Sequence, residues 1–335
     1  MYILSCIFLS ITMALSSSIK IPNIKHLVIS GGGAAGFSYY GVLKQTQIRG
    51  LWYPENIKTI YATSAGTFIA VIISLGYDWE TLDNYLIKRP WQNVYKFELS
   101  MTIPSILNQG IFDKTNVYET FKPLFKGKDI SLDINLQEFY EHTNKEIHFF
   151  TTDYNTFQTI DISYKTHPHW KIIDAIYASS SLPILFIPFY QKETSEEETK
   201  IYIDGGIKMN YPLNKCLDDG NLPEEILGIN RVDINPKKDK KLSRSDNLFD
   251  FICKIMYKYA LQIENSLYKK IISHQISVAF SALDFTAVFK CVSNEEERSK
   301  LIEKGMGIAD NYIEKYIIEK SKIEEDEVKE TTNNS

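Results

Sequence analysis

A serine, an aspartate and a run of glycines are spaced along this 335-residue chain in a way that could carry out acyl transfer. Ser64 sits in Ala62-Thr63-Ser64-Ala65-Gly66, between a short apolar run and a longer one. A nucleophile elbow needs that context, because its sharp strand-to-helix turn leaves no room for bulk two residues to either side. Gly66 meets the demand, and Ala62, where glycine is usual, is the next smallest choice. In isolation the same serine reads equally as a helix N-cap. Asp204-Gly205-Gly206 offers a carboxylate ahead of a flexible turn, although Asp-Gly alone is an ordinary turn sequence. Gly31-Gly32-Gly33-Ala34-Ala35-Gly36 fits GxGxxG, which by itself suggests a dinucleotide site. Such a site needs an acidic residue at the end of the next strand to hold a ribose. Here that strand ends on Ser64, and the nearest acid, Glu55, precedes it. What remains is a run of small residues that can turn backbone N–H groups toward negative charge at a helix N-terminus. That charge could be a phosphate or the oxyanion of an acyl-transfer intermediate.

The elements that must position these groups read as an α/β sheet. Residues 26–30 form a short apolar strand entering the glycines, and residues 36–49 carry helical spacing up to a stop at Gly50. Residues 57–63 read as a second strand, and residues 67–75 as a helix buried on every side and closed by Gly76. Strand–helix–strand–helix over so short a span predicts a mostly parallel sheet. Residues 91–112, rich in aromatics and containing Pro104 and Gly110, read as a flap or a connection. Residues 147–152 and 159–162 read as two strands joined by a turn around Asn155, and residues 171–179 as a helix broken at Ser181-Leu182-Pro183. The charged residues 193–200 read as a solvated loop before a strand at 201–203, and 225–229 as another strand. Leu248, Ile252, Ile255, Tyr259, Ile263 and Leu267 share one face of a long helix from 246 to about 274, a stripe expected to be core. A last helix is expected over 295–318, followed by a charged, disordered tail at 319–335. Each of the three motifs falls where a strand ends, and in open α/β sheets those carboxyl ends share one crevice. An oxyanion loop, a nucleophile and a base gathered there make the minimal set for acyl transfer.

The bulk composition agrees with a globular enzyme. Hydrophobic content is 44% and charged content 24%, enough for a substantial core. A net charge of -5, from 37 basic and 42 acidic residues, argues against a nucleic-acid partner. The 21 Tyr and 18 Phe suit both a core and a surface that meets lipid. Cys6, Cys216, Cys253 and Cys291 form no CxxC, and the histidines form no HExxH, so neither a disulfide framework nor a metal site is expected. Residues 1–20 open with an apolar run too short for a comfortable transmembrane helix. The run reads either as a signal-peptide core, with Ala14 and Ser16 near a cleavage point, or as an extension ahead of a cytoplasmic protein. Residues 21–318 form the expected single domain, with C-terminal helices from about 245.

In order, GGGAAG, ATSAG and DGG resemble the glycine-rich loop, serine elbow and aspartate motif of patatin-like phospholipases. Residues 174–183, with Phe186 and Pro188, are similar to the helix and proline-containing segment ahead of that family's aspartate. Asn210 and Pro212 fit the segment after it, so the resemblance covers roughly residues 25–213. It implies a three-layer α/β/α sandwich around a mostly parallel sheet, with no metal or other cofactor. The implied partner is a phospholipid or other acyl-ester lipid, met by peripheral contact at a membrane surface. It further implies that Ser64 attacks the ester, that Asp204 takes the proton without a histidine, and that N–H groups of Gly32, Gly33 and Ala34 hold the oxyanion. Ala62 departs from the usual glycine of the elbow. Ala35 stands where many members carry Arg or Lys, and Ala35→Arg is expected to be tolerated. Two rival readings remain: an α/β-hydrolase with a Ser–Asp–His triad, for which only His274 follows the acid, and a non-catalytic lipid-binding protein that retains the fold. Oligomeric state is left open.

Overall fold

Burial on both faces marks the strands at the centre of the sheet, because helices cover parallel strands from either side. Strand β1 (His26–Ile29) and residues 147–152 of β4 (Glu146–Asp153) are buried throughout. The computed structural model describes residues 22–96, 107–192, 198–234, 242–244, 248–266, 270–281 and 285–333. After β1 come α1 (Ala35–Ile48), β2 (Thr59–Thr63), α2 (Ala65–Ser74), α3 (Trp79–Asp83), β3 (Gly110–Phe112), α4 (Lys114–Lys126) and α5 (Leu136–Thr143), which lead to β4. Then follow β5 (Thr159–Ile162), α6 (Ile172–Ser180), β6 (Ile184–Phe186), β7 (Phe189–Gln191), β8 (Lys200–Asp204) and α7 (Leu213–Asp218). The chain continues through β9 (Ile226–Val232), α8 (Leu248–Ser266), β10 (His274–Ala279), α9 (Phe285–Ser293) and α10 (Glu295–Asn333).

The main sheet has the order β10-β9-β1-β2-β4-β8-β7, with β5 paired to β4. From β10 to β4 every pairing is parallel, whereas β5 and β8 run antiparallel to β4. Leu27, Ile29, Ile60, Ala62 and Phe149 face a large core shared with α1, α2 and α6. Val28, Tyr61 and Phe150 face the other way, onto Leu213 and Cys216 of α7. The result is a three-layer α/β/α sandwich around a mostly parallel sheet. Among the described residues no helix is long and apolar enough to cross a membrane.

Several expectations need correction. Helices α4 and α5 occupy a stretch that gave no clear periodicity, yet both begin with capping boxes, Asp113 with Asn116 and Asn135 with Glu138. Asn135-x-x-Glu138 is a signal the sequence did carry. The long helix before residue 274 is interrupted: α8 ends at Ser266, and His274 opens a strand instead. The described part of its apolar stripe departs from the expected core: Ile252, Ile255 and Tyr259 are exposed and Ile263 is half-buried, and among the described side chains of the helix Tyr257 is the buried one. The tail expected to be disordered continues α10 to Asn333. That stretch holds no glycine or proline, the two residue types that most disfavour a helix interior. Cys216 and Cys291 are buried thiols, while Cys6, the side chain of Cys253, the N-terminal run and residues 97–106 and 193–197 lie outside the described residues.

The C-terminal helices are built into the domain. At the crossing of α1 and α10, Gly41 and Gly305 let the backbones meet, since a Cβ on either would strike the opposite main chain. Ser38 donates to the Leu301 carbonyl at 2.8 Å, and Asp310 accepts from Gln45 at 2.9 Å and Arg49 at 2.7 Å. Buried Arg298 donates to the carbonyls of Ile87, Arg89 and Cys291.

On the α7 face, His148 holds a carboxylate at each ring nitrogen, Asp161 at 2.9 Å and Glu146 at 2.8 Å. Asp219 lies close by, but it accepts from Tyr61 at 2.9 Å and pairs with Lys215. Burial alone would lower the His148 pKa; the two carboxylates outweigh it and push it up to about 9. The cluster is held together as an ion network, with Lys165 on Glu146 and Lys215 on Asp161. His148→Leu should cost about 1–3 kcal/mol in urea unfolding, by leaving Glu146 and Asp161 with only Lys165 and Lys215, among the described residues, as partners. With a folded pKa above the ordinary 6.5, this stabilisation is full below that pH and is lost as pH rises through about 9. The gap between wild type and variant should narrow across that window; a constant gap would refute the charged pairing.

Candidate active site

The chain turns sharply at Ser64, whose backbone lies at φ 52 and ψ -125 between β2 and α2. A non-glycine residue there is strained and must be held by its surroundings. Gly66 shows how tight the turn is: a Cβ would lie 2.7 Å from the Ile29 carbonyl oxygen and 2.9 Å from that of Ser30. Ala62 is fully buried with its single methyl accommodated, so the departure from glycine is harmless. Though Ser64 stands at the N-cap position, its side chain makes no capping bond; its Oγ donates to Asp204 Oδ2 at 2.6 Å.

Asp204 arrives by a route the sequence did not predict. Strand β8 runs antiparallel, so Asp204 does not share the carboxyl end of a parallel strand with Ser64. Strand β4 pairs Phe150 with Thr63 and then continues to Asp153, giving β8 an edge to run back along. Thr151 pairs with Asp204, which leaves the aspartate level with Ser64.

The end of α6 holds the backbone of both residues. Ser179 Oγ accepts the Ser64 N–H at 3.0 Å and donates to the Phe150 carbonyl at 2.6 Å. The Ser181 carbonyl accepts the Asp204 N–H at 2.9 Å. The segment after Asp204 then ties the three motifs together. Asp204 Oδ1 accepts the Gly206 N–H at 2.7 Å, Thr63 Oγ1 donates to Met209 O at 2.9 Å, and Gly31 N–H donates to Asn210 O at 2.9 Å. Gly205 is obligatory here, since a Cβ would strike the Phe150 carbonyl. Ser179, Ser181 and Asn210 carry positioning duties that sequence reasoning saw only as family likeness. The three consecutive serines at a helix end were the available signal.

Asp204 is 3% exposed, and burial pushes its carboxyl up to about 6 against the opposing pull of hydrogen bonds from Ser64 and Gly206. A carboxylate so placed is a stronger base than one in water, and it faces a hydroxyl. The glycine loop lies alongside. Its Gly31 N–H is occupied, Tyr39 OH donates to Gly31 O at 3.1 Å, and Gly33 adopts φ +54. Among the described residues the N–H groups of Gly32, Gly33 and Ala34 have no acceptor. Gly33, Ala34 and Ser64 border a cavity of about 220 Å³ with apolar walls. Phe37, Phe68 and Ile72 line it nearby; Trp91, Tyr95 and Phe112 form its far wall, so part of the segment read as a flap or connection is a wall of the cavity. Val288 and Val292 of α9 close another side, a contribution the sequence did not announce.

One rival reading and one expectation fail at this site. His274 pairs in register with Leu227, and through it with Leu27 and Ile60. It therefore lies about 13 Å from Ser64 along the strands and about 14 Å across them. Its Nδ1 is 3.0 Å from Tyr312 OH, so it completes no triad. Ala35, read as a vacant basic position, is fully buried in the main core. Ala35→Arg should therefore unfold rather than be tolerated, losing at least about 3 kcal/mol through a buried, unpaired charge. A thermal melt matching wild type would refute this.

The chain resembles known proteins over most of its length. A probable lipid hydrolase of Invertebrate iridescent virus 6 is 26% identical over 201 residues, and the match spans 59% of this chain and 65% of that relative. An uncharacterized protein of Acanthamoeba polyphaga mimivirus is 24% identical over 276 residues, 80% of this chain and 88% of its own. The crystal structure of VipD from Legionella pneumophila matches 88% of this chain and 67% of VipD, with a TM-score of 0.49 at 15% identity. The family model described as patatin-like phospholipase matches residues 27–217, which include the glycine loop, the serine elbow and the aspartate motif. With more than half of its length matched, this chain belongs to the patatin-like phospholipase family.

Proposed function

We propose that this protein is a lipid acyl hydrolase, of phospholipase A or lysophospholipase type, working through a Ser64–Asp204 dyad. The observation that carries the reading is the 2.6 Å hydrogen bond from Ser64 Oγ to a buried Asp204 carboxylate, at the edge of an apolar cavity. Family membership and the viral relative described as a probable lipid hydrolase support it. In this reading the fatty-acyl chain fills the cavity and its ester carbonyl sits over Ser64. Asp204 takes the hydroxyl proton as Oγ attacks, and the carbonyl electrons move onto oxygen. The N–H groups of Gly32, Gly33 and Ala34 stabilise that oxyanion. Collapse of the intermediate expels the alcohol, which takes the proton back from Asp204. Water then attacks the acyl-enzyme, with Asp204 again accepting and returning one proton, and the fatty acid leaves. The chemistry calls for no cofactor.

Ser64→Ala and Asp204→Asn should each abolish ester hydrolysis while remaining folded, and Ser64→Ala should also lose labelling by a fluorophosphonate. His274→Asn should keep most activity. Because Asp204 must be ionised to act, kcat/KM should fall on the acid side with an apparent pKa near 6. The same raised pKa means this carboxyl favours folding most at acid pH and loses that contribution as pH rises through about 6. Asp204→Asn should therefore melt no lower than wild type at pH 8. Retained turnover in Asp204→Asn would sink the dyad.

Gly33→Val tests the loop separately. It places a branched side chain at φ +54, and loss of one preorganised donor lowers kcat by about 10²–10³-fold. Vesicle binding should change little. Near-normal turnover in a correctly folded variant would move the oxyanion hole elsewhere.

A further inference from the structure

Helix α8 carries an apolar stripe that the described protein leaves uncovered. Phe251, Ile252, Ile255 and Tyr259 are 39%, 40%, 38% and 65% exposed. At about 100° per residue they share an arc of about 100°, with Tyr257 on the opposite side. Tyr257 is the inward anchor: it is buried, its OH donates to Asp233, and its ring lies 5.7 Å from the Arg231 guanidinium. The helix is thus held by one side and presents the other to solvent. A contiguous apolar surface of this kind marks a contact site.

Its position and charge identify the partner. Helix α8 follows β9 in the chain, so its approach leaves the same end of the parallel strands as Ser64 and the glycine loop. It packs against Gly205–Ile207, the turn after Asp204. Val232, Ile234 and Leu242 are exposed on the approach to it. The β4–β5 turn exposes Tyr154 and Phe157, and Lys208, which follows the Gly205–Ile207 turn, lies 5.2 Å from the Phe157 ring. Residues 237–258 carry seven basic side chains against three acidic ones, in a chain whose net charge is -5. Exposed Lys258 flanks the stripe, and exposed Arg244 precedes the helix. An interfacial helix has this composition: the apolar face enters the boundary of headgroups and acyl chains while cations meet anionic headgroups. A second copy packed stripe to stripe would bring Lys258, which flanks the stripe, toward like charge, which disfavours it as the cover.

We propose that the exposed stripe of α8, with Arg244 and Lys258 beside it, docks the protein on an anionic lipid bilayer. The choice of a bilayer rests on the lipid hydrolase reading, but the binding test does not require catalysis. Sedimentation with phosphatidylcholine vesicles, with and without phosphatidylserine, measures docking in wild type and in Ser64→Ala. The triple variant Phe251→Ser, Ile255→Ser, Tyr259→Ser should lose about ten-fold or more in affinity for both vesicle types. Its hydrolysis of a soluble short-chain ester should match wild type. Arg244→Glu with Lys258→Glu should lose only the gain that phosphatidylserine gives, a gain that salt also removes in wild type. If the triple variant does not fold by circular dichroism, the charge-reversed pair alone decides. Wild-type affinity in the folded triple variant overturns the proposal, as does a variant whose only change is from dimer to monomer. Vesicle binding that depends on α8 in a protein that cleaves no ester would uphold the docking surface and refute the hydrolase reading.

Discussion

A carboxylate withdrawn from water beside a serine hydroxyl is the constraint around which this protein is arranged. Burying Asp204 is costly, and two hydrogen bonds, from Ser64 and Gly206, offset only part of the cost. The remainder is carried by structure that allows the group no other place. Its own N–H is held by Ser181 at the end of α6, and Ser179 two residues earlier holds the N–H of Ser64. One helix end therefore sets the separation of the pair. The strained backbone at Ser64 is kept by the same contact and by the close approach that Gly66 permits.

That arrangement was legible in part because its demands fall on residue type. Gly66 and Gly205 are places where a Cβ meets backbone, and such demands leave glycine in the sequence. The first two strand–helix units were legible for a similar reason, as apolar runs closed by Gly50 and Gly76. The direction of β8 was not. A four- or five-residue strand reads the same in either orientation, and only the extra length of β4, seen in the pairing of Asp153 with Tyr202, gives it an antiparallel edge. Composition likewise cannot say which face of a helix is inward when apolar residues lie on more than one side of it. On α8 the answer came from Tyr257, whose partners Asp233 and Arg231 lie outside the helix.

The C-terminal third had no motif to announce it, yet the site depends on it. Helix α10 lies along α1, which the glycine loop leads into, and the meeting of Gly41 and Gly305 brings their backbones together. Arg298, at the start of α10, grips carbonyls on either side of the cavity wall, at Ile87 and at Cys291. Helix α9 supplies Val288 and Val292 to the cavity itself. Long-range packing of this kind is written in small residues and one buried cation, which have no distinctive spacing.

The absence of a basic side chain at position 35 bears on how the proposed chemistry is balanced. Ala35 is enclosed in the core, and Arg231, the half-buried cation of the neighbouring strand β9, is paired with Asp233 at 2.6 Å. The Arg231 backbone N–H is also occupied, by Ser30 Oγ at 3.0 Å. Under the proposed mechanism the developing oxyanion meets no side-chain charge in the loop, so its stabilisation falls on N–H dipoles held in place before the substrate arrives. Dipoles serve that purpose only if they are rigid and shielded from water. The loop meets the first condition through Tyr39, Asn210 and Ser30 beneath it, and the apolar cavity in front of it provides the second.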